Sequence, residues 1–260
     1  MITPFILHAV DQGIARITLN RPDKFNSLNR EMALGLQHVL DLAAADKTVR
    51  AVYLTGEGKA FCAGQDLGEA IDPAGPGIRK IVAEHYNPII LKIRNLEKPV
   101  VCAVNGVAAG AGANIAFACD IVMASTGASF VQAFSKIGLV PDSGGTFMLP
   151  RLIGMQRASA LMMLGDKISA PDALQMGMLY KVCESEKLQE EAIQVAKTLA
   201  QMPTRGIWLT KKLLNESMSN SLTTQLGREE ELQAEAGATD DYKEGVHAFL
   251  EKRKPVFKGS

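Results

Sequence analysis

Apolar and polar residues follow one another in short blocks over the first two thirds of the chain. Short apolar or β-branched runs bounded by Gly, Pro, Asn or charged residues predict strands at 5–10, 14–20, 49–55 and 99–105. After Asn29, a natural N-cap, apolar side chains recur every three to four positions, which predicts an amphipathic helix. Residues 78–96 and 111–119 predict two more helices.

A strand followed by a helix is the recurring unit as far as about residue 184. This alternation predicts an α/β fold with parallel strand pairing. Beyond it the strands stop, and the pattern predicts helices with polar faces. We therefore predict a core over residues 1–200, which carries the functional site, and a helical C-terminal oligomerisation segment over 201–260. Residues 66–77 contain several Pro and Gly and predict one long loop.

Composition narrows the classes of partner. The 28 Lys and Arg residues balance 28 Asp and Glu, which argues against a nucleic acid or an anionic membrane surface as the main partner. Four cysteines stand far apart in apolar runs, without the spacing of a metal or redox site, and predict buried thiols. With no apolar stretch of membrane length, the expected location is the cytoplasm.

Two glycine-rich stretches, 56–67 and 105–112, each follow a predicted strand. Turns at strand ends are where α/β proteins place ligands, and they leave peptide N–H groups without partners. The second stretch opens into a helix whose positive end lies near Ala111. Side by side, the two turns would direct two N–H donors at one oxygen, as an oxyanion hole does. Taken singly, either turn is explained equally well by close packing.

Several short motifs occur in a characteristic order, namely Phe61-Cys62-Ala63-Gly64, Val104-Asn105-Gly106, Cys119-Asp120 and Gly144-Gly145-Thr146. With them the whole chain resembles the crotonase (enoyl-CoA hydratase/isomerase) superfamily. Within it, residues 134–142 resemble the ring-1,2-epoxyphenylacetyl-CoA isomerases of bacterial phenylacetate degradation. The resemblance implies a spiral of ββα units, with two packed sheets flanked by helices and a C-terminal helical segment.

The resemblance also implies site residues. Members bind an acyl-CoA thioester through two backbone N–H groups, which correspond here to Gln65 and Ala111. Family hydratases activate water with two glutamates, and this chain has Asn114 and Phe134 at those positions. An amide and a phenyl ring cannot perform that acid–base chemistry, so both are expected to position substrate instead.

Asp142 is the acidic side chain that the family pattern places near the thioester Cα. In the isomerase branch a carboxylate at this place takes a proton beside the thioester and returns it two carbons away, or allows a ring epoxide to open. Apolar neighbours such as Phe134, Leu139 and Val140 would raise its pKa. Without the resemblance, Asp142 is better interpreted as a turn residue that caps the next helix, and Ser143 as a cap.

Positions that correspond to the family's CoA-binding residues are Lys24, Phe25, Ala63, Gln65, Asp66, Leu67, Phe249 and Lys252. Lys252 facing a phosphate makes electrostatic sense, although the run 252–254 is equally a solvated helix end. No metal site is expected, and no cofactor beyond the CoA moiety of the substrate. The resemblance implies a homotrimer or a dimer of trimers.

Three alternatives remain beside an acyl-CoA isomerase. One is an enoyl-CoA hydratase of weak or broad activity. Another is a dehalogenase-like enzyme that uses Asp142 as a nucleophile, with His85 as the available helper histidine. The third, an RNA-binding member, requires a lysine-rich helix, whereas residues 78–98 are mostly apolar. No nucleic-acid or membrane partner is therefore expected.

Overall fold

The structure is a computed structural model that describes residues 3–260. Its strands are β1 (Ile6–Asp11), β2 (Ile14–Leu19), β3 (Ala51–Gly56), β4 (Ala60–Cys62), β5 (Val100–Val104), β6 (Val107–Ala109), β7 (Ile121–Ser125), β8 (Ser129–Val131), β9 (Lys167–Ser169) and β10 (Lys181–Cys183). They form a six-stranded sheet of order β1-β2-β3-β5-β7-β10 and a four-stranded sheet of order β4-β6-β8-β9. Pairing is parallel except between β1 and β2 and between β8 and β9.

The α-helices are α1 (Arg30–Ala45), α2 (Leu67–Ala70), α3 (Gly77–Lys80), α4 (Asn87–Asn95), α5 (Ala111–Ala118), α6 (Gly145–Ile153), α7 (Met155–Leu164), α8 (Ala170–Met176), α9 (Leu188–Ala200), α10 (Thr204–Ser217), α11 (Leu222–Gly237) and α12 (Asp240–Leu250). Two 3-10 helices span Pro22–Lys24 and Ala133–Ile137, and a π-helical segment spans Ile81–Tyr86. As predicted, Asn29 caps α1, its side chain accepting a 3.0 Å hydrogen bond from the Met32 N–H.

The chain advances as a spiral in which each turn adds one strand to each sheet. The pairs β3–β4, β5–β6 and β7–β8 each place a long strand in the first sheet and a three-residue strand in the second. The predicted fold class is thereby confirmed. The short strands were missed, because three residues are too few for a periodic signal.

Two predicted elements need correction. The predicted loop over 66–77 contains α2, and the predicted continuous helix over 78–96 is α3 and α4 with the π-helical segment between them. Hydrophobic spacing cannot distinguish these helix types, since one inserted residue shifts the apolar face without removing it.

Small residues allow the two sheets to meet. A methyl group on Gly56 would lie 2.4 Å from the Phe61 carbonyl oxygen, and one on Gly106 would lie 2.1 Å from that of Lys59. Only glycine permits such an approach between the long and the short strands. The strand ends that follow are therefore held close together. As predicted, all four cysteines are buried and form no disulfide over residues 3–260.

The first helix of the C-terminal segment is tied to the core by a buried charge. Lys211 on α10 is 4% exposed, and its ammonium group lies 2.8 Å from Asp120 and 2.7 Å from the Ile93 carbonyl oxygen. By contrast, Phe249 and Leu250 on α12 are exposed. Division of the chain near residue 200 stays a prediction. Over residues 3–260, no helix combines the length and apolarity that crossing a membrane requires.

Candidate active site

A cavity of about 190 Å³ opens where the short strands end. Its wall is mostly apolar and consists of Ala63, Gly64, Gln65, Leu67, Ala70, Ile78, Ile81, Val82, Tyr86, Ala109, Gly110, Ala111, Ala133, Phe134, Ile137, Leu139 and Asp142. Of these lining residues, Asp142 alone carries a carboxyl group. Acid–base chemistry by a carboxylate in this cavity therefore falls to Asp142.

Among residues 3–260, the backbone N–H groups of Gln65 and Ala111 in the wall find no acceptor. Gln65 forms a parallel bridge with Leu28, which uses the Gly64 carbonyl and the Asp66 N–H on either side and leaves the Gln65 N–H unused. Ala111 is the first residue of α5, where N–H groups have no partner within the helix. Over residues 3–260, neither N–H donates a hydrogen bond to the protein.

Glycine brings these two turns together. Gly64 has φ +90°, and a methyl group there would lie 2.8 Å from the Ala109 carbonyl oxygen and 3.6 Å from the Ala111 nitrogen. On Gly112 a methyl group would lie 2.3 Å from the Cys62 carbonyl oxygen. The two glycine-rich stretches thus lie side by side at the cavity, the geometry on which the predicted oxyanion hole depends.

Asp142 is held by its neighbours on both its side chain and its backbone. Ser143, in the left-handed region at φ 51°, donates from Oγ to the Asp142 carboxylate at 2.8 Å. Asn114 donates from Nδ2 to the Asp142 carbonyl oxygen at 2.8 Å, and its Oδ1 accepts from Gln132, also at 2.8 Å. A non-glycine residue in this conformation costs roughly 1–2 kcal/mol, so packing holds the turn in place.

Two sequence-based interpretations change here. Asn114, predicted to position substrate, is 1% exposed and does not line the cavity, and its amide bonds the Asp142 carbonyl oxygen and Gln132 instead. Ser143 bonds the Asp142 carboxylate, whereas α6 begins at Gly145 without a side-chain cap. Phe134 does lie in the cavity wall, where its ring faces Gly110.

Burial raises the pKa of Asp142, and the hydrogen bonds from Ser143 and from its own backbone only partly oppose this. Burial also raises the pKa of Tyr86, with a further contribution from the charge of Asp142. At neutral pH the cavity therefore holds a carboxyl group that is a stronger base than an ordinary aspartate, beside a phenol that stays protonated.

The raised pKa predicts a pH-dependent cost in stability. An unfolded-state aspartate ionises near pH 3.9, whereas folded Asp142 ionises at a higher pH. Between these values the folded protein binds the extra proton, so Asp142 lowers stability progressively as pH rises through the window. In urea denaturation, the free energy of unfolding of Asp142→Asn minus that of the wild type should increase from about pH 4 upward and then become constant. A constant difference would contradict the burial effect.

Comparison with known proteins agrees with this geometry. The Enoyl-CoA hydratase/isomerase family profile matches residues 9–260. The chain is 48% identical to 1,2-epoxyphenylacetyl-CoA isomerase of Escherichia coli (strain K12), with 98% of each chain covered. The chain belongs to the enoyl-CoA hydratase/isomerase family. This confirms the family resemblance that was found in the sequence motifs.

Other relatives of this enoyl-CoA hydratase/isomerase family member carry different names. A trans-2-decenoyl-[acyl-carrier-protein] isomerase of Streptococcus mutans is 39% identical, with 98% of each chain covered. The crystal structure of an enoyl-CoA hydratase from Bacillus anthracis superposes with a TM-score of 0.92 at 34% identity, covering 98% of this chain and 100% of that one. The family acts on acyl-CoA thioesters, and its members include isomerases and hydratases.

The predicted CoA-binding residues of this family member divide into four groups. Ala63, Gln65 and Leu67 line the cavity. Asp66 lies behind them, where its carboxylate caps α2 and bonds Arg21 at 2.9 Å.

Lys24 and Phe25 lie outside the wall but beside it. Both are exposed, and the Phe25 carbonyl accepts a 2.9 Å hydrogen bond from the N–H of Ala63. They are therefore attached to the stretch that carries Gln65.

Phe249 and Lys252 do not reach this cavity within the chain. Phe249, which is 84% exposed, lines a separate apolar cavity with residues of α10, α11 and α12. Lys252 follows α12 at φ 54°.

His85 is not placed for the helper role that the dehalogenase-like alternative requires. Its side chain is fully buried and absent from the cavity wall, with Nε2 3.2 Å from the Arg30 guanidinium. Burial lowers the pKa of His85, so the ring is neutral at neutral pH. The dehalogenase-like alternative loses its helper histidine.

Sequence reasoning missed Tyr86 and Gln132. Tyr86 stands in a run that only predicts a helix, and Gln132 follows a strand too short to recognise. For Gln132 the available signal was a polar residue within a mostly apolar stretch. Tyr86 stands between His85 and Asn87, and nothing in that polar run distinguishes it.

Proposed function

We propose that this family member is an acyl-CoA isomerase with Asp142 as its sole acid–base group. The observation that carries the proposal is that Asp142 is the one carboxylic acid among the residues lining the cavity. Gln65 and Ala111 line the same cavity, and over residues 3–260 their N–H groups donate to no protein acceptor. Hydration requires one group to activate water and a second to hold or deliver protons. A single carboxylate suffices to move one proton between two carbons.

In the proposed reaction the N–H groups of Gln65 and Ala111 bind the thioester oxygen. The first turn of α5 adds the positive end of its dipole. Asp142 removes a proton from the carbon beside the thioester, and the electron pair of that C–H bond moves into an enolate. The same proton then returns two carbons away as the double bond shifts. With a ring epoxide, the enolate electrons instead form a C=C bond and break the adjacent C–O bond, and the alkoxide oxygen takes the proton from Asp142.

Both routes are isomerisations, because no atoms or electrons are gained or lost. They need no cofactor beyond the CoA moiety of the substrate. The wall supplies the low polarity that strengthens the hydrogen bonds to the enolate oxygen.

The acyl group favoured by the cavity carries a single ring. A dry cavity of about 150 Å³ accommodates benzene, and this one is about 190 Å³ with Ile78, Ile81 and Val82 on its wall. The E. coli relative is named for an epoxide of phenylacetyl-CoA. We therefore propose a ring-1,2-epoxyphenylacetyl-CoA type of substrate, with unsaturated acyl-CoA esters as the second choice.

Lys24 and Phe25 are proposed to contact the CoA moiety at the cavity rim. Phe249 and Lys252 are proposed to do so from a neighbouring subunit, because neither lines this cavity in its own chain and Phe249 lines a separate one. This arrangement requires a homo-oligomer, and we propose the homotrimer or dimer of trimers that the family resemblance implies.

The test is a set of three parallel assays on the purified protein. A 3-enoyl-CoA, a trans-2-enoyl-CoA and the ring epoxide of phenylacetyl-CoA are offered separately, and products are separated by chromatography. We expect isomerisation of the epoxide or the 3-enoyl ester, with hydration of the 2-enoyl ester slower by about 100-fold or more, as for a reaction lacking one general acid–base group. Rapid hydration of the 2-enoyl ester would instead favour the enoyl-CoA hydratase.

A further inference from the structure

The π-helical segment Ile81–Tyr86 has a specific consequence for the cavity. Its final hydrogen bond runs from the Asn87 N–H to the Val82 carbonyl, five residues back instead of four. The additional residue in the turn changes the direction in which the following side chains project, and such segments are frequent at functional sites. Here Tyr86 projects into the cavity wall, with 1% of its surface exposed.

The Tyr86 hydroxyl donates a hydrogen bond to Oε1 of Gln65. The other end of the same amide is also held, because Gln65 Nε2 donates to the Asp66 carbonyl at 3.0 Å and to the Glu69 carboxylate at 3.1 Å. Glu69 in turn accepts from the Arg30 N–H at 2.8 Å. The Gln65 side chain is thus fixed at both its oxygen and its nitrogen.

The two N–H groups at the cavity are supported differently. That of Ala111 belongs to the first turn of α5, whose helical hydrogen bonds set its direction. Gln65 precedes α2 and lies in no helix or strand, with the isolated bridge to Leu28 as its backbone support. The Leu28 N–H holds the Gly64 carbonyl end of the peptide group that carries the Gln65 N–H, and the side-chain hydrogen bonds hold Gln65 itself at the other end of that group.

We propose that Tyr86 is a positioning residue of the oxyanion hole, which acts by clamping the Gln65 side chain so that the Gln65 N–H stays directed at the thioester oxygen. The inference rests on the proposed function. Tyr86 does not act as a base, because its hydroxyl is committed to Gln65 and burial keeps it protonated. Its effect on the reaction passes through Gln65.

Tyr86→Phe removes the hydroxyl and keeps the ring. One neutral hydrogen bond is worth about 0.5–1.5 kcal/mol, so we expect kcat to fall roughly 3- to 10-fold, with KM nearly unchanged. Tyr53→Phe is the matched control, since Tyr53 is also buried but lies in β3, outside the cavity wall. An unchanged kcat in Tyr86→Phe, or a change confined to KM, would overturn the proposal.

A double-mutant cycle tests the route through Gln65. Gln65→Met removes the side-chain acceptor and keeps the backbone N–H, so adding Tyr86→Phe to it should cause no further loss of kcat. Independent losses that multiply would show that Tyr86 acts by another route and would overturn the proposal.

A spectroscopic measurement separates this inference from the proposed function. Phenylacetyl-CoA labelled with ¹³C at the thioester carbonyl is bound to each variant, and the carbonyl stretching band is recorded by difference infrared spectroscopy. We expect the band in Tyr86→Phe to shift toward its position in free ligand, and the band in Tyr53→Phe to match the wild type. An unshifted band in Tyr86→Phe would overturn the clamp. The assignment of the isomerase reaction is decided separately by the substrate assays.

Discussion

Replacing Asp142 with Asn should lower kcat for isomerisation by about 100- to 10,000-fold, the range typical of removing a general acid–base group. The substitution keeps the size of the side chain and an oxygen that can accept the hydrogen bond from Ser143 Oγ, which lies 2.8 Å from the carboxylate oxygen of Asp142. It removes the group that accepts the proton. The Gln65 and Ala111 N–H groups are unchanged, so binding of acyl-CoA should persist.

Steady-state kinetics with the ring epoxide or a 3-enoyl-CoA measure this effect, and calorimetric titration with a saturated acyl-CoA measures binding. Asp11→Asn is the matched control, because Asp11 on β1 forms an exposed pair with Arg16 on β2 and lies outside the cavity wall. Retention of most activity in Asp142→Asn would remove Asp142 from the mechanism. Loss of acyl-CoA binding together with activity would instead point to a structural role.

Part of this site was predictable because it is made of backbone. Gly64 marks a turn in which a side chain is excluded, and Gly112 marks a helix position packed against Cys62. The helix start at Ala111 follows from the apolar run that begins there. Such features leave a mark in the local sequence, since the residue types that a turn tolerates are few. The juxtaposition of the two stretches was therefore predicted as a possibility from the residues and supported by the family resemblance.

The remaining parts depend on contacts between residues distant in sequence. Asn114 bonds the backbone of a residue 28 positions later, and Tyr86 bonds a side chain 21 positions earlier. No local pattern encodes these partners, so Asn114 was assigned to the substrate and Tyr86 was overlooked. The short strands β4, β6, β8 and β9 were not predicted for a similar reason, because their pairing across the sheet, rather than their composition, defines them.

Phe249, a predicted CoA-binding residue, does not line the Asp142 cavity of its own chain. Its ring lies in the C-terminal helices and lines a cavity separate from that of Asp142. In the proposed function, a ligand bound near Gln65 contacts Phe249 when another copy of the chain presents its own α12. That proposal links oligomerisation to CoA binding.

Gly64→Ala should reduce kcat by about 100- to 1,000-fold, comparable to removal of an oxyanion-hole donor. The new methyl group would lie 2.8 Å from the Ala109 carbonyl oxygen, closer than a carbon and an oxygen pack, at a backbone φ of +90° that alanine adopts with strain. To relieve the contact, the turn that carries Gln65 must move away from the turn that carries Ala111. The two N–H groups then no longer meet at one oxygen, although Asp142 is unchanged.

Backbone strain alone is controlled with Gly13→Ala. Gly13 has φ +76°, its added methyl group would meet nothing closer than 3.4 Å, and it lies in the turn between β1 and β2. Both variants should lose a similar amount of stability from the unfavourable φ, about 1–2 kcal/mol, as measured by urea denaturation. Only Gly64→Ala should also lose kcat and the shifted carbonyl band of bound acyl-CoA. If the two variants turned over substrate at similar rates, the Gln65 and Ala111 N–H groups would not be the oxyanion hole, because their separation would have been changed without effect.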